Sequence, residues 1–162
     1  MIRGLSHTNI RVRDIDKCLP FYVNVLGLKV SFDEDTRSSG DSEFQRRAVF
    51  LRWENGPARS FVVLQTLPAE AGQEDSEPGG YLARLSAMGV NHFGFWADDL
   101  GAILTRAAAA NVPAVRDGPV DCTGRNVGYA DVRDEICLRT AQLVDPENNV
   151  IQLDEWVGPS GV

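Results

Sequence analysis

HTNIRVRDI (residues 7–15) and HFGFWADDL (residues 92–100) are the two stretches whose comparison decides the fold. Each opens on a histidine, carries an aspartate at its eighth position (Asp14, Asp99) and closes on an aliphatic residue (Ile15, Leu100). Alternation in the first puts Thr8, Ile10 and Val12 on one face and His7, Asn9 and Arg11 on the other, the period of a half-buried strand. In the second, Asn91, Phe93 and Phe95 oppose His92, Gly94 and Trp96. A helix follows in both. Asp14 or Asp16 can cap one running to Leu26, with Gly27 suited to the left-handed position that ends it and Pro20 arguing for a bend or the later cap. Asp98 or Asp99 caps the other, whose Leu100, Ile103, Leu104 and Ala107 form a buried stripe ending near Asn111, just ahead of Pro113.

Outward from these starts, LKVSFDED (28–35), RRAVFLRW (46–53) and SFVVLQT (60–66) are β-rich runs separated by turn chemistry, so the first half reads β-α-β-β-β. The second half ends on LRTAQLVD (138–145) and NNVIQLDEW (148–156), a hairpin across DPEN. Residues 115–137 have weak periodicity and much charge, and are expected to form an irregular loop or hairpin over a pocket. The acidic, Pro- and Gly-rich PAEAGQEDSEPGG (68–80) reads as a linker, followed by a short helix at YLARLSAM (81–88). The predicted organisation is an α+β chain with a first βαβββ module at 1–67, a linker with a short helix at 68–88, and a second βαβββ module at 89–157, fused as one domain.

Composition narrows the function. The 162 residues are 43% hydrophobic and 24% charged, as in a folded globular chain. No apolar run approaches the ~20 residues that cross a bilayer, and MIRGLSHTNI lacks the features of a secretory signal, so a cytoplasmic location is expected. Cys18, Cys122 and Cys137 lack CxxC spacing, which favours reduced, inert thiols over a disulfide framework or thiolate zinc site. A net charge of −7 opposes nucleic acid and anionic membranes as partners and leaves small molecules.

A lone strand histidine is more often structural than a ligand. Here both histidines of the protein open corresponding strands, and each half ends in an apolar strand carrying a glutamine, Gln65 or Gln152. The repeat therefore predicts that His7, Gln65, His92 and Gln152 meet at one centre.

On these stretches the chain resembles the vicinal oxygen chelate superfamily, which includes glyoxalase I, methylmalonyl-CoA epimerase, extradiol dioxygenases, fosfomycin resistance enzymes and bleomycin-binding proteins. The resemblance runs through HTNIRVRDIDKCLPFYVNVLGLKV, VNHFGFWADDL and DPENNVIQL, almost the whole chain. It implies paired βαβββ modules in a curved mixed sheet around a central pocket, a homodimer, and a divalent metal (Mn, Co, Ni, Zn or Fe) bound at the positions matching His7, Gln65, His92 and Gln152. Methylmalonyl-CoA epimerase is nearest in ligand pattern, with Gln152 the departure. Glyoxalase I has carboxylates at both glutamine positions, one of them its base, and an amide cannot abstract a proton, so the catalytic residue is left unassigned.

Two imidazoles and two amide oxygens can surround a metal but neutralise none of its charge, so affinity should fall. The substrate-binding candidates are Arg11 as an anion clamp, Trp96 on the His92 face, and Asp154, which shares the Gln152 face roughly 7 Å along the strand. Their blander readings are the partner of an acid, a core aromatic and a solvated strand end. Two functions compete. The first is a metal-dependent epimerase, isomerase or lyase acting on a small oxygenated substrate. The second is a metal-free protein that binds an aromatic or antibiotic-like ligand, motivated by the missing carboxylates together with Trp53, Trp96 and Tyr129.

Overall fold

The computed structural model describes residues 6–36, 46–53, 60–66, 90, 92–123 and 136–157. The chain divides into two compact units, Met1–Ser76 and Glu77–Val162, and the division falls within residues 68–88. The helix expected at 81–88 lies outside the described residues.

In the first unit, β1 (His7–Arg11) leads into α1 (Ile15–Pro20) and a π-helical turn (Phe21–Val25), followed by β2 (Lys29–Asp35), β3 (Arg47–Arg52) and β4 (Phe61–Thr66). The sheet order is β1-β4-β3-β2, with β1 parallel to β4 and the other pairs antiparallel. Asp14 is the N-cap and accepts from the Lys17 backbone N–H. That bond is the main reason its carboxyl is held below the ordinary aspartate value. Pro20 has no N–H to donate back along the helix, and the chain re-registers just after it: Leu26 N–H reaches Phe21 O at 3.1 Å, the π spacing. Gly27 then takes a φ of +81°, a conformation that suits glycine.

The second unit repeats the plan: β5 (His92–Trp96), α2 (Leu100–Ala109), β6 (Val120–Thr123), β7 (Ile136–Val144) and β8 (Val150–Trp156), in the order β5-β8-β7-β6 with β5 parallel to β8. Asp99 is the cap, accepting from Ala102 N–H at 2.8 Å. Leu100, Ile103 and Ala107 are buried as the stripe requires, while Leu104 is half-buried. Of the irregular loop or hairpin expected over 115–137, the described residues form paired strands: Val120–Thr123 pairs antiparallel with β7, and β7 begins at Ile136, two residues before the predicted run. Cys122 accordingly lies on a strand, and Cys122 and the buried Cys18 are free thiols.

The described strands thus form two four-stranded mixed sheets and not one continuous sheet. Each buries the face beneath its helix. Ile10, Val12, Val49, Leu51, Val62 and Leu64 back the first helix, and Ala141, Leu143, Ile151 and Leu153 back the second. Arg47 ties the first helix to its sheet, donating to Asp16 on α1 and to Asp33 on β2, both at 2.9 Å; these partners hold its guanidinium pKa above its ordinary value. The DPEN turn is built inward. Asp145 is buried and accepts from the backbone N–H groups of Glu147 and Asn149 and from Asn149 Nδ2, while Asn148 supplies the left-handed residue.

Two outcomes follow for stability. Leu64→Ala should cost about 2–5 kcal/mol in urea unfolding, and Asp99→Ala about 1 kcal/mol through its cap. In an acid titration followed by NMR, the Asp14 carboxyl should protonate below the ordinary aspartate midpoint. Its cap contribution is then present above the unfolded pKa and lost as pH falls through the folded one.

Candidate functional site

The sheet face opposite each helix carries the residues singled out in the sequence. In the first unit that face holds His7, Asn9 and Arg11 from β1, Phe61, Val63 and Gln65 from β4, Ala48, Phe50 and Arg52 from β3, and Phe32 from β2. The register pairs His7 with Phe61, Asn9 with Val63 and Arg11 with Gln65. His7 and Gln65 therefore stand four strand positions apart, about 13 Å along the sheet. Two ligands of one metal must place their donor atoms within about 4 Å of each other. Both side chains are also engaged elsewhere. Gln65 Oε1 accepts from Asn9 Nδ2 at 2.6 Å. The His7 ring stacks on Phe61, centroids 5.0 Å apart and planes within 7°, with Ser6 Oγ 3.0 Å from its Nδ1.

Phe61 is the middle of a ladder. Phe50 lies 5.7 Å from it and Phe32 5.7 Å from Phe50, while the Arg52 guanidinium sits 5.3 Å over the Phe61 ring. Four rings and one cation thus run from strand to strand across a single sheet face, and Phe32 at the edge is 57% exposed. Trp53, just past β3, is half-buried, and Tyr129 lies outside the described residues.

The second unit differs at the same places: Val150 and Val144 stand where the first has Phe61 and Arg52, and amides and a carboxylate lie beside them. His92 pairs with Val150, Gly94 with Gln152 and Trp96 with Asp154, so Gln152 lies on the diagonal from His92, within reach of a long side chain. Gln142 and Gln152 face each other across β7 and β8, Gln142 Nε2 donating to Gln152 Oε1 at 3.0 Å. Gln152 Nε2 in turn donates to both oxygens of Asp154 at 3.1 Å. Asp154 is therefore half-buried and bonded, not a solvated strand end. Glu155 faces the helix, accepting from Leu100 N–H at 3.2 Å.

Comparison of the two registers corrects the repeat. Val12 N–H bonds Gln65 O, and the matching bond runs from Ala97 N–H to Asp154 O. Gln65 is thus the structural counterpart of Asp154, and the counterpart of Gln152 is Val63. Among the described residues, no three His, Cys, Asp or Glu side chains gather as a metal group.

Asn9, Gln142, Phe50, Phe61 and Arg52 were missed in the sequence. Period-2 alternation along FVVLQT is the signal that could place Phe61 on the Gln65 face; only the pairing of β4 with β1 and β3 shows what meets them.

Paired βαβββ modules, each with a helix on one sheet face and ligand-type side chains on the other, define a class of α+β proteins built by repetition. The chain belongs to the glyoxalase/bleomycin resistance protein/dioxygenase superfamily, whose family model matches residues 4–153. It is 33% identical over 112 residues to the uncharacterized protein YwbC of Bacillus subtilis (strain 168), covering 68% of this chain and 74% of YwbC. Among solved structures it is similar to TnmS3, an antibiotic binding protein from Streptomyces sp. CB03234, at 19% identity and a TM-score of 0.58, covering 96% and 98% of the two chains. It is likewise similar to the genomically encoded fosfomycin resistance protein FosX of Listeria monocytogenes, solved with Mn(II) and sulfate, at 16% identity and a TM-score of 0.57, covering 96% and 93%. None of the described helices is long and apolar enough to cross a membrane.

The stacking of His7 has a direct readout. Its ring protons should resonate upfield of free histidine because they lie over the Phe61 face, and Phe61→Leu should return them toward the free values in a proton NMR spectrum. Unchanged shifts would show that the two rings do not stack in solution.

Proposed function

We propose that this chain is a small-molecule-binding member of the superfamily that holds a planar organic ligand on the aromatic ladder of its first module, with no metal in the contact. The carrying observation is the run Phe32, Phe50, Phe61 and His7 with Arg52 above Phe61. Offset or tilted aromatic contacts each contribute about 0.5–1.5 kcal/mol beyond burial. Arg52 adds a cation at the ladder, and Arg11 extends the positive side of the same face, so a flat ring with an anionic substituent suits it. The antibiotic-binding TnmS3 supports the class of ligand. A homodimer in the cytoplasm is the proposed setting.

The second reading is the metal-dependent enzyme, an epimerase, isomerase or lyase with His92 and Gln152 among its ligands, alongside His7 and Gln65 as the repeat suggested. Its support is the diagonal placement of His92 beside Gln152 and the Mn(II) in the FosX structure. The donor set fits a divalent ion poorly. Its members are neutral, Gln152 Oε1 already accepts from Gln142, and Val63 occupies the position on β4 that matches Gln152. The epimerase-like pattern loses its glutamine on β4 for the same reason.

Calorimetry with naphthalene-2-sulfonate separates the readings. Binding should survive EDTA and His92→Ala, and Phe61→Ala should weaken it about five- to tenfold. Loss of binding on chelation, restored by added metal, would sink the first reading and favour the second.

A further inference from the structure

Asp154 stands at the centre of a cross on the face of the second sheet opposite its helix. Its register partners are Trp96 on β5 and Thr140 on β7, and its neighbours one pleat away on β8 are Gln152 and Trp156. The two indoles meet edge to face with centroids 6.2 Å apart, and Trp96 is 58% exposed. Gly94, between His92 and Trp96, presents no side chain there: a Cβ on it would lie 3.8 Å from Asp154 Oδ2, so the carboxylate leans over this gap. Gln152 Nε2 takes one bond to each Asp154 oxygen, which leaves further lone pairs on both.

Thr140 supplies the second observation. The residue is 4% exposed, and its Oγ1 is a buried polar atom without a hydrogen-bond partner among the described residues, directly across the strands from Asp154. Buried hydroxyls are ordinarily satisfied, so this one marks a place where a hydrogen-bond partner is wanting, and its oxygen can accept from an N–H donor.

We infer that Asp154, Trp96 and Trp156 form a subsite for the ammonium group of an organic ligand. The carboxylate pairs with the charge, the indole faces attract it through their quadrupoles, and the N–H donors come to the corner that holds Thr140. The net charge of −7 favours approach of a cation. The inference rests on reading the chain as a ligand-binding protein, yet the subsite shares no residue with the aromatic ladder.

The test titrates butylammonium chloride against its uncharged analogue 1-butanol, following the Trp96 and Trp156 indole N–H resonances. Butylammonium should saturate these shifts at least about tenfold more tightly than butanol. Asp154→Asn should abolish that preference while leaving naphthalene-2-sulfonate binding unchanged. Trp96→Leu, at an exposed position, should weaken butylammonium binding and serves if the Asp154 variant does not fold. Equal binding of amine and alcohol, or a charge preference that outlives both substitutions, overturns the subsite. If butylammonium binds as expected and naphthalene-2-sulfonate does not, the subsite stands and the ladder reading fails.

Discussion

In each module the first strand runs parallel to the last, and everything functional is set by the register of that pair. Parallel neighbours cannot be joined by a tight turn. A long crossover is therefore obligatory, and here a helix and two further strands supply it, closing the sheet in the order 1-4-3-2 twice over. The closing bonds, Val12 N–H to Gln65 O and Ala97 N–H to Asp154 O, fall at equivalent places. Once they are made, each residue of β4 and β8 has a fixed neighbour on the outer face, and a shift of two positions would hand every candidate residue a different partner.

Much of the scaffold was legible in the sequence because it is written in periodicities. The aspartates at equivalent positions cap the helices, Gly27 ends the first, and the hairpin over DPEN joins the last two strands. The strand at Val120–Thr123 was legible only as one of two alternatives, loop or hairpin, because charge blurs its period: Asp121 sits on an edge strand where Arg139 pairs with it. The site was less legible, and the reason is specific. Matching the halves by the letter glutamine sets Gln65 on Gln152. Matching them by the aliphatic residues that must face the helices sets Val62 and Leu64 on Ile151 and Leu153, which are buried alike. The second alignment puts Val63 opposite Gln152, as the backbone does. Burial constrains register more strongly than any one polar side chain, so the buried pair was the safer anchor.

The corrected register exposes a division of labour. Phe50 and Val63 in the first module occupy the positions of Gln142 and Gln152 in the second, and Ala48 and Gln65 those of Thr140 and Asp154. The matched helix-facing residues Val49, Leu51, Val62 and Leu64 in the first module and Ala141, Leu143, Ile151 and Leu153 in the second are aliphatic and buried in both. The outer faces also bury apolar residues, Val63 and Ala48 in one and Leu138, Val144 and Val150 in the other, but at the exchanged positions one is aromatic and the other amide-lined and acidic.

That asymmetry bears on chemistry through charge. A divalent ion taken from water requires donors that repay its desolvation, and carboxylates do so because their field opposes the ion's own. On the first face the nearest ionic groups are arginines, which repel a cation; on the second, Asp154 is a lone carboxylate among the described strand residues, one charge against the two of a divalent ion. Stacking makes the opposite demand. It needs flat surface held rigid before the ligand arrives, and a ring fixed between two neighbours on a sheet has little conformational freedom left to lose. His7 shows the change of role most clearly. Its ring lies against Phe61 with the planes nearly parallel, so the imidazole acts through its face where a metal ligand would act through a nitrogen, and the residue that announces the repeat in the sequence extends an aromatic surface in the fold.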